Sequence, residues 1–247
     1  MNITSKNLKI TIGTVYLIVL FVGLFFLFSW VDLKDLSSYE FIRSNKEIIL
    51  KYKKENLLLL TGGFFIFSVI WVLFLGFAMP LLLFAGFVFG KWFGLLIILI
   101  STTIGTSCLY ILATLFFKDI VREKLSNKFY RFKEFFNKNE LLYFLLFRLI
   151  GGGGLPYALQ NLLPVLFNIS IRNYIIATFL GSSPSMFVTI ALGDGIENFI
   201  EKNETISILA IITSKDIYLP ILGFLFIMFL SLILKQVFFK KKINNES

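Results

Sequence analysis

The side chain best suited to bind a ligand is that of Arg148, which lies inside a long apolar stretch. That stretch runs from Leu141 to Leu192. An arginine at the centre of a membrane-spanning helix costs about 2.5–3.5 kcal/mol on insertion scales, and such residues usually face a partner or a cavity. The guanidinium group is planar and permanently charged, and its paired donors match a phosphate group. Arg148 is therefore a candidate phosphate contact.

A structural role is the alternative for Arg148. Eight positions separate it from Glu140, which is about 12 Å of helix at 1.5 Å per residue. A long arginine side chain can extend over that range to the membrane interface while its stem stays in lipid.

Other polar residues and backbone breakers lie in the same half of the chain. Gln160 and Asn161 either line a substrate path or form hydrogen bonds with the freed backbone groups of a broken helix, which must be satisfied in lipid. Arg172 and Lys91 are placed as interfacial anchors, and Asp194 marks either the outer interface or a substrate or proton site. The candidate binding or translocation residues are Arg148, Gly151, Gly154, Pro156, Gln160, Asn161, Arg172, Pro184 and Asp194.

Composition excludes several kinds of active site. The chain has no histidine and a single cysteine, Cys108, so imidazole catalysis, histidine-ligated metals and an intramolecular disulfide are ruled out. No pair of carboxylates lies within an apolar stretch, so we expect no enzyme, metal or cofactor chemistry, and Cys108 is expected to be a small packing residue. The net charge of +9 comes from basic residues that flank apolar segments, which indicates anionic headgroups rather than nucleic acid.

The elements that must position these residues are membrane helices. Of 247 residues, 57% are apolar and 16% are charged, against about 45–50% and about 25% in soluble domains. Residues 10–31 predict an uncleaved transmembrane helix, and 217–239 predict the last one. Between them lie two overlong apolar stretches, 57–117 and 141–192, which do not divide into ordinary spanning helices.

Loop charge decides how these stretches cross the bilayer. The basic loop 118–140 and the C-terminal lysines belong on the cytoplasmic side, and the acidic loop 194–216 belongs outside. The segment 141–170 must then enter and return, with its turn at the glycines 151–154 and Pro156. The same reasoning makes 57–89, punctuated by Pro80, a hairpin inserted from outside.

The predicted fold is an all-α integral membrane protein with four spanning helices and two re-entrant helical hairpins in an inverted repeat. The expected organisation is an N-terminal helix and connector (1–56), a core (57–195) and an acidic loop with a last helix and basic tail (196–247). Both termini are placed in the cytoplasm. Six glycines are expected to pack helices: Gly86, Gly90, Gly94, Gly105, Gly181 and Gly193.

Several motifs carry a resemblance to a known family. Residues 147–161 read FRLIGGGGLPYALQN, followed by RNY at 172–174, ATFLGSSPS at 177–185 and LG at 192–193, while 86–94 read GFVFGKWFG. Over roughly 60–195 the chain resembles the DedA-like membrane proteins, also called VTT-domain or SNARE-associated Golgi proteins. The resemblance implies two re-entrant hairpins that face each other across the bilayer, and a role in lipid movement or membrane homeostasis.

The chain departs from that family in three respects. Glycines fill places where relatives carry prolines after the arginine, and the second loop arginine is absent. No Asp or Glu occurs between Asn56 and Lys118, whereas the proton-coupled branch of the family carries acidic residues there. Proton coupling by that route is therefore not expected.

The leading hypothesis is a multi-pass protein of a bacterial cell membrane that moves or scrambles a lipid or polyprenyl-phosphate headgroup, with Arg148 as its phosphate contact. Its partners are membrane lipids, anionic ones included, and a homo-oligomer is compatible with it. Two alternatives stay open: an ion- or proton-coupled small-solute transporter, and a non-transporting membrane scaffold or assembly factor.

Overall fold

The computed structural model describes residues 54–74, 78–124, 139–150, 155–201 and 221–230. It also describes the isolated positions 11, 13–15, 18, 22, 48, 51, 215, 218, 219 and 233. Most of the predicted N-terminal helix and connector lies outside the described residues. So do the glycine run 151–154 (with Gly151 and Gly154), most of the acidic loop and the C-terminal lysines.

The described residues are helical throughout the protein's core. Helix α1 spans Leu57–Leu73, α2 Ala78–Phe89, α3 Lys91–Lys124, α4 Glu140–Leu149, α5 Tyr157–Leu162 and α6 Ile171–Glu201. A short 3₁₀ helix, Leu163–Phe167, follows α5 directly, and Ile221–Leu230 forms α7. No strand occurs in the part of the chain that the structure describes.

Two of the described helices are long and apolar enough to cross a membrane, by length and composition. These are the segments Lys91–Phe116 of α3 and Ile171–Gly195 of α6. Helix α3 continues to Lys124, past residue 118, where the sequence predicted a polar loop to begin. The prediction ended the helix where the charges start, but an α-helix can extend beyond the apolar segment into charged residues.

The breaks between helices have local causes. Helix α2 ends at Gly90, whose φ of +76° is a left-handed conformation that glycine adopts without strain. Asn168, with φ 53°, plays the same part before α6. Gly86, Gly90 and Gly94, which recur every four residues and were predicted to pack helices, therefore do not lie on one helix. Gly90 is a turn residue between α2 and α3.

The long helices α3 and α6 are antiparallel neighbours at the centre of the packing. Lys91, at the start of α3, pairs with Asp194, late in α6, while Tyr110, further along α3, bonds to Ile169 just before α6. Helix α3 also packs against α1 and α2, and α6 against α2 and α4. The segment α5 with its 3₁₀ extension packs against α3, so α2 packs against the long helix of the second half and α5 against the long helix of the first half.

Several corresponding features of the two halves recur at a separation of 76 residues. The C-cap of α1, Phe74, has φ −83° and ψ 18°, and the C-cap of α4, Ile150, has φ −83° and ψ 21°. Pro80 and Pro156 follow at the same separation. The glycines of the long helices obey it too. A Cβ on Gly105 would meet Val69 and Val72 of α1, and one on Gly181 would meet Leu145 and Arg148 of α4.

Candidate functional site

Arg148 is held in the last turn of α4 and is buried, with 3% of its surface exposed. A cation in this turn is favoured by the partial negative charge at the helix C terminus. Helix α6 approaches at Gly181, where a Cβ would lie 2.5 Å from the Arg148 Cβ. Since only glycine leaves room for that approach, Gly181 sets the position of Arg148 against α6.

Two polar side chains from other elements meet the guanidinium group. Arg148 Nη2 donates to Asn161 Oδ1 at 2.7 Å and to the Tyr174 hydroxyl at 3.2 Å. Asn161 lies on α5 and is fully buried, as is Tyr174 on α6. The arrangement therefore joins α4, α5 and α6 through one cation.

Aromatic rings fix the position of Tyr174. Its ring stacks on Tyr110 of α3, with centroids 4.4 Å apart, and on Phe144 of α4, at 5.2 Å. The Tyr110 hydroxyl donates to the Ile169 carbonyl at 2.6 Å. The Arg148 guanidinium lies 5.0 Å from the centre of the Phe144 ring, within range of a cation–π interaction. These contacts make Tyr174 the packing centre of the site.

Over the residues that the structure describes, the site contains hydrogen-bond donors without acceptors and a positive charge without a counter-ion. Within the described part of the chain, Arg148 Nε and Asn161 Nδ2 are buried and have no hydrogen-bond partner. No carboxylate of the described residues pairs with Arg148. A buried cation without a counter-ion is costly, and so is a buried donor without an acceptor. An anion with acceptor oxygens would relieve both costs.

The other predicted residues in the second hairpin have structural contacts. Gln160 Nε2 donates to the Leu155 carbonyl at 2.6 Å, so Gln160 satisfies the backbone of the break while its neighbour Asn161 faces Arg148. Pro156 is the N-cap of α5. Arg172 is exposed at the start of α6 and does not join the site.

Pro184 lies inside α6 and is accommodated locally. Proline lacks the N–H that would bond the carbonyl four residues earlier, which is that of Leu180. The Ser183 hydroxyl donates to the Leu180 carbonyl at 2.8 Å. Neighbouring hydroxyls commonly satisfy backbone groups freed in this way within a membrane.

Asp194 and Arg148 belong to opposite ends of the helix pair. Asp194 lies 3.7 Å from Lys91 Nζ and is separated from Tyr174 by 20 positions of α6, or about 30 Å at 1.5 Å per residue. Lys91 is thus an ion-pair partner as well as a residue beside Trp92. The glycines nearby pack α2: a Cβ on Gly86 would meet the Ile190 carbonyl, one on Gly193 the Leu83 carbonyl, and one on Gly94 the Ala85 carbonyl.

Tyr174 was not among the site residues predicted from the sequence. A signal was available, because Tyr174, Thr178 and Gly181 are spaced i, i+4 and i+7 and so share one face of α6. Cys108, expected to be a packing residue, is exposed on α3, so that prediction was wrong. Its position on α3 turns it away from the core, and composition alone carries no information about helix rotation. Among the described residues, no cluster of acidic side chains and cysteine could hold a metal ion.

The described part of the chain is therefore helical, with two helices of membrane-spanning length and a buried cationic site between broken helices. Its family is shown by direct comparison. The VTT domain matches residues 54–195, more than half of the chain, and the chain belongs to this family of membrane proteins. The resemblance identified from the sequence motifs is thereby confirmed.

A curated relative carries the same family relationship. The Transmembrane protein 41 homolog of Dictyostelium discoideum is 23% identical over 182 residues. The matched region covers 71% of this chain and 53% of that protein, so the chain spans about half the length of this curated relative. No solved structure gives a significant match to the chain.

Proposed function

We propose that the protein moves lipids between the leaflets of the cell membrane and that Arg148 binds the phosphate of the headgroup. The observation that carries the proposal is the chemistry around Arg148. It is a 97%-buried cation with no carboxylate partner among the described residues and with donors left over on itself and on Asn161. A phosphate group supplies both the negative charge and the acceptor oxygens that the site lacks.

The proposed scaffold is a pair of re-entrant hairpins inserted from opposite faces between four spanning helices. The antiparallel course of α3 and α6 supports it, because each long helix ends a corresponding half. The 76-residue correspondence of helix ends and glycine contacts supports it too. The site lies among α4, α5 and α6 of the second half, with Tyr110 of α3 as a contact from the first half. Anionic phospholipids or a polyprenyl phosphate are the substrate classes with the required group, and both termini are cytoplasmic in this arrangement.

Lipid movement can be measured on the purified full-length chain in vesicles that contain a fluorescent phospholipid. A reagent added outside bleaches only the outer leaflet, so further loss of signal reports transfer from the inner one. We expect transfer above empty vesicles for the natural chain and none above that level for Arg148→Ala. Arg172→Ala is the matched control, because Arg172 is an exposed arginine of the same half, and we expect it to retain most of the transfer.

Each result bears on the proposal. Transfer by the natural chain that survives in Arg148→Ala would contradict the role of Arg148, and an equal loss in Arg172→Ala would show that the effect is not specific to the buried site. A natural chain that moves no lipid above empty vesicles would overturn the function itself.

A further inference from the structure

The polar site of the second half has an apolar counterpart in the first half. At the separation of 76 residues, Arg148 corresponds to Val72, Asn161 to Ala85 and Tyr174 to Ile98. All three counterparts are buried with 0% of their surface exposed, and all three belong to one hydrophobic cluster. One separation thus relates three pairs of residues on three different elements.

The contacts of the two sets match as well as their spacing. Val72 lies in the last turn of α1, as Arg148 does in α4. It faces Gly105, where a Cβ would lie 3.0 Å from the Val72 Cβ. Arg148 faces Gly181 in the same way, at 2.5 Å. Ala85 lies on the second hairpin helix and Ile98 on the long helix, as Asn161 and Tyr174 do.

The two halves therefore differ in chemistry at corresponding positions. Valine, alanine and isoleucine carry no donor and no charge, so these three positions of the first half offer nothing to an anion. An unpaired anion buried among them would lose its hydration and gain no donor in exchange, which is strongly unfavourable.

We infer that each chain binds a single phosphate-bearing headgroup, held by Arg148 and Asn161, and that the first half contains a closed apolar counterpart without a second site. This inference rests on the proposed function for the identity of the ligand.

Counting bound ligand by native mass spectrometry tests the inference. Dodecyl phosphate is the probe, added to the purified full-length chain in a neutral detergent, and dodecanol is the control without an anion. We expect one specific equivalent of dodecyl phosphate on the natural chain, none of dodecanol, and none of dodecyl phosphate on Arg148→Val. The last variant places the first-half residue in the second half.

A transplanted site gives the reverse test. The combination Val72→Arg, Ala85→Asn and Ile98→Tyr builds the polar set in the first half, and we expect two bound equivalents. Adding Arg148→Val to it should return the count to one. If the transplanted chain does not fold, the counts on the natural chain and on Arg148→Val decide the question without it.

The outcomes separate this inference from the proposed function. Two equivalents on the natural chain, one equivalent that persists in Arg148→Val, or no binding at all would overturn the single site. A natural chain that binds one equivalent, loses it in Arg148→Val, but moves no lipid in vesicles would overturn the proposed function while supporting the single site.

Discussion

Tyr174 and Tyr110 form a stacked pair with separate hydrogen bonds. The Tyr174 hydroxyl accepts from Arg148 at 3.2 Å, and the Tyr110 hydroxyl donates to the Ile169 carbonyl at 2.6 Å. The rings lie 4.4 Å apart, so both residues contribute to the same packing. Their hydroxyls face different groups, which allows stability and ligand binding to be separated at the level of single atoms.

Phenylalanine substitutions exploit this difference. Tyr174→Phe removes an acceptor of the buried cation, and a hydrogen bond to a charged group contributes about 1.5–3 kcal/mol. We expect a lower thermal midpoint and slower lipid transfer. Tyr110→Phe leaves the Ile169 carbonyl without its donor, at a cost of about 1–3 kcal/mol, and we expect a comparable fall in the midpoint with transfer retained.

Thermal unfolding in detergent and transfer in vesicles are the two measurements. Equal loss of transfer in both variants would show that Tyr174 acts through stability alone. Transfer at the natural rate in Tyr174→Phe would remove its hydroxyl from the site.

Among the helices, close approach at glycine decides the packing. Helix α2 meets α6 at Gly86, where a Cβ would lie 1.9 Å from the Ile190 carbonyl oxygen. Helix α1 carries Gly62 and Gly63 on a face with no atom of another element within 4 Å. The same residue type therefore has opposite consequences on two neighbouring helices.

Alanine at these positions tests that contrast. Gly86→Ala forces α2 and α6 apart, and we expect destabilisation of about 1–3 kcal/mol, the usual cost of overpacking. Gly62→Ala meets open space and removes the backbone freedom of a helical glycine, so we expect no loss, or a gain of up to about 1 kcal/mol. The two variants are compared with the natural chain by their thermal unfolding midpoints in the same detergent. A Gly86→Ala midpoint equal to that of the natural chain would contradict the close packing of α2 and α6.

The helices were predictable from sequence in part. Apolar length and the scarcity of charge identified the stretches that form α3 and α6, and proline and glycine indicated where the first and second stretches break. The burial of Arg148 and its bond to Asn161 were not predictable, since the two are 13 positions apart across a break whose geometry is not encoded locally. Gly90 was misassigned because spacing alone does not distinguish a packing glycine from a left-handed turn.

Across the whole molecule, polar interactions lie near both ends of the antiparallel pair α3 and α6. Lys91 pairs with Asp194 at one end. At the other, Glu140 Oε2 accepts from the Ser170 N–H at 2.5 Å, beside the Ile169 carbonyl that Tyr110 bonds. Lys91 and Tyr110 are 19 positions apart on α3, or about 28 Å at 1.5 Å per residue. That separation is close to the hydrocarbon thickness of a bilayer, about 30 Å. The polar interactions at the two ends are therefore spaced as the two interfaces of a membrane are.

The proposed inverted repeat makes a prediction about the membrane side from which each proposed hairpin is accessible. Met79 and Leu155 each precede a proline, Pro80 or Pro156, and are 76 positions apart, so they occupy corresponding places in the two halves. If the hairpins enter from opposite faces, Met79→Cys is labelled by an impermeant maleimide from outside the cell and Leu155→Cys from the cytoplasm. The exposed Cys108 is first replaced by alanine, and intact cells are compared with inverted membrane vesicles. Labelling of both positions from one side would refute the inverted repeat. If Met79→Cys is instead labelled from the cytoplasm and Leu155→Cys from outside, the inverted repeat stands and the two termini lie outside the cell.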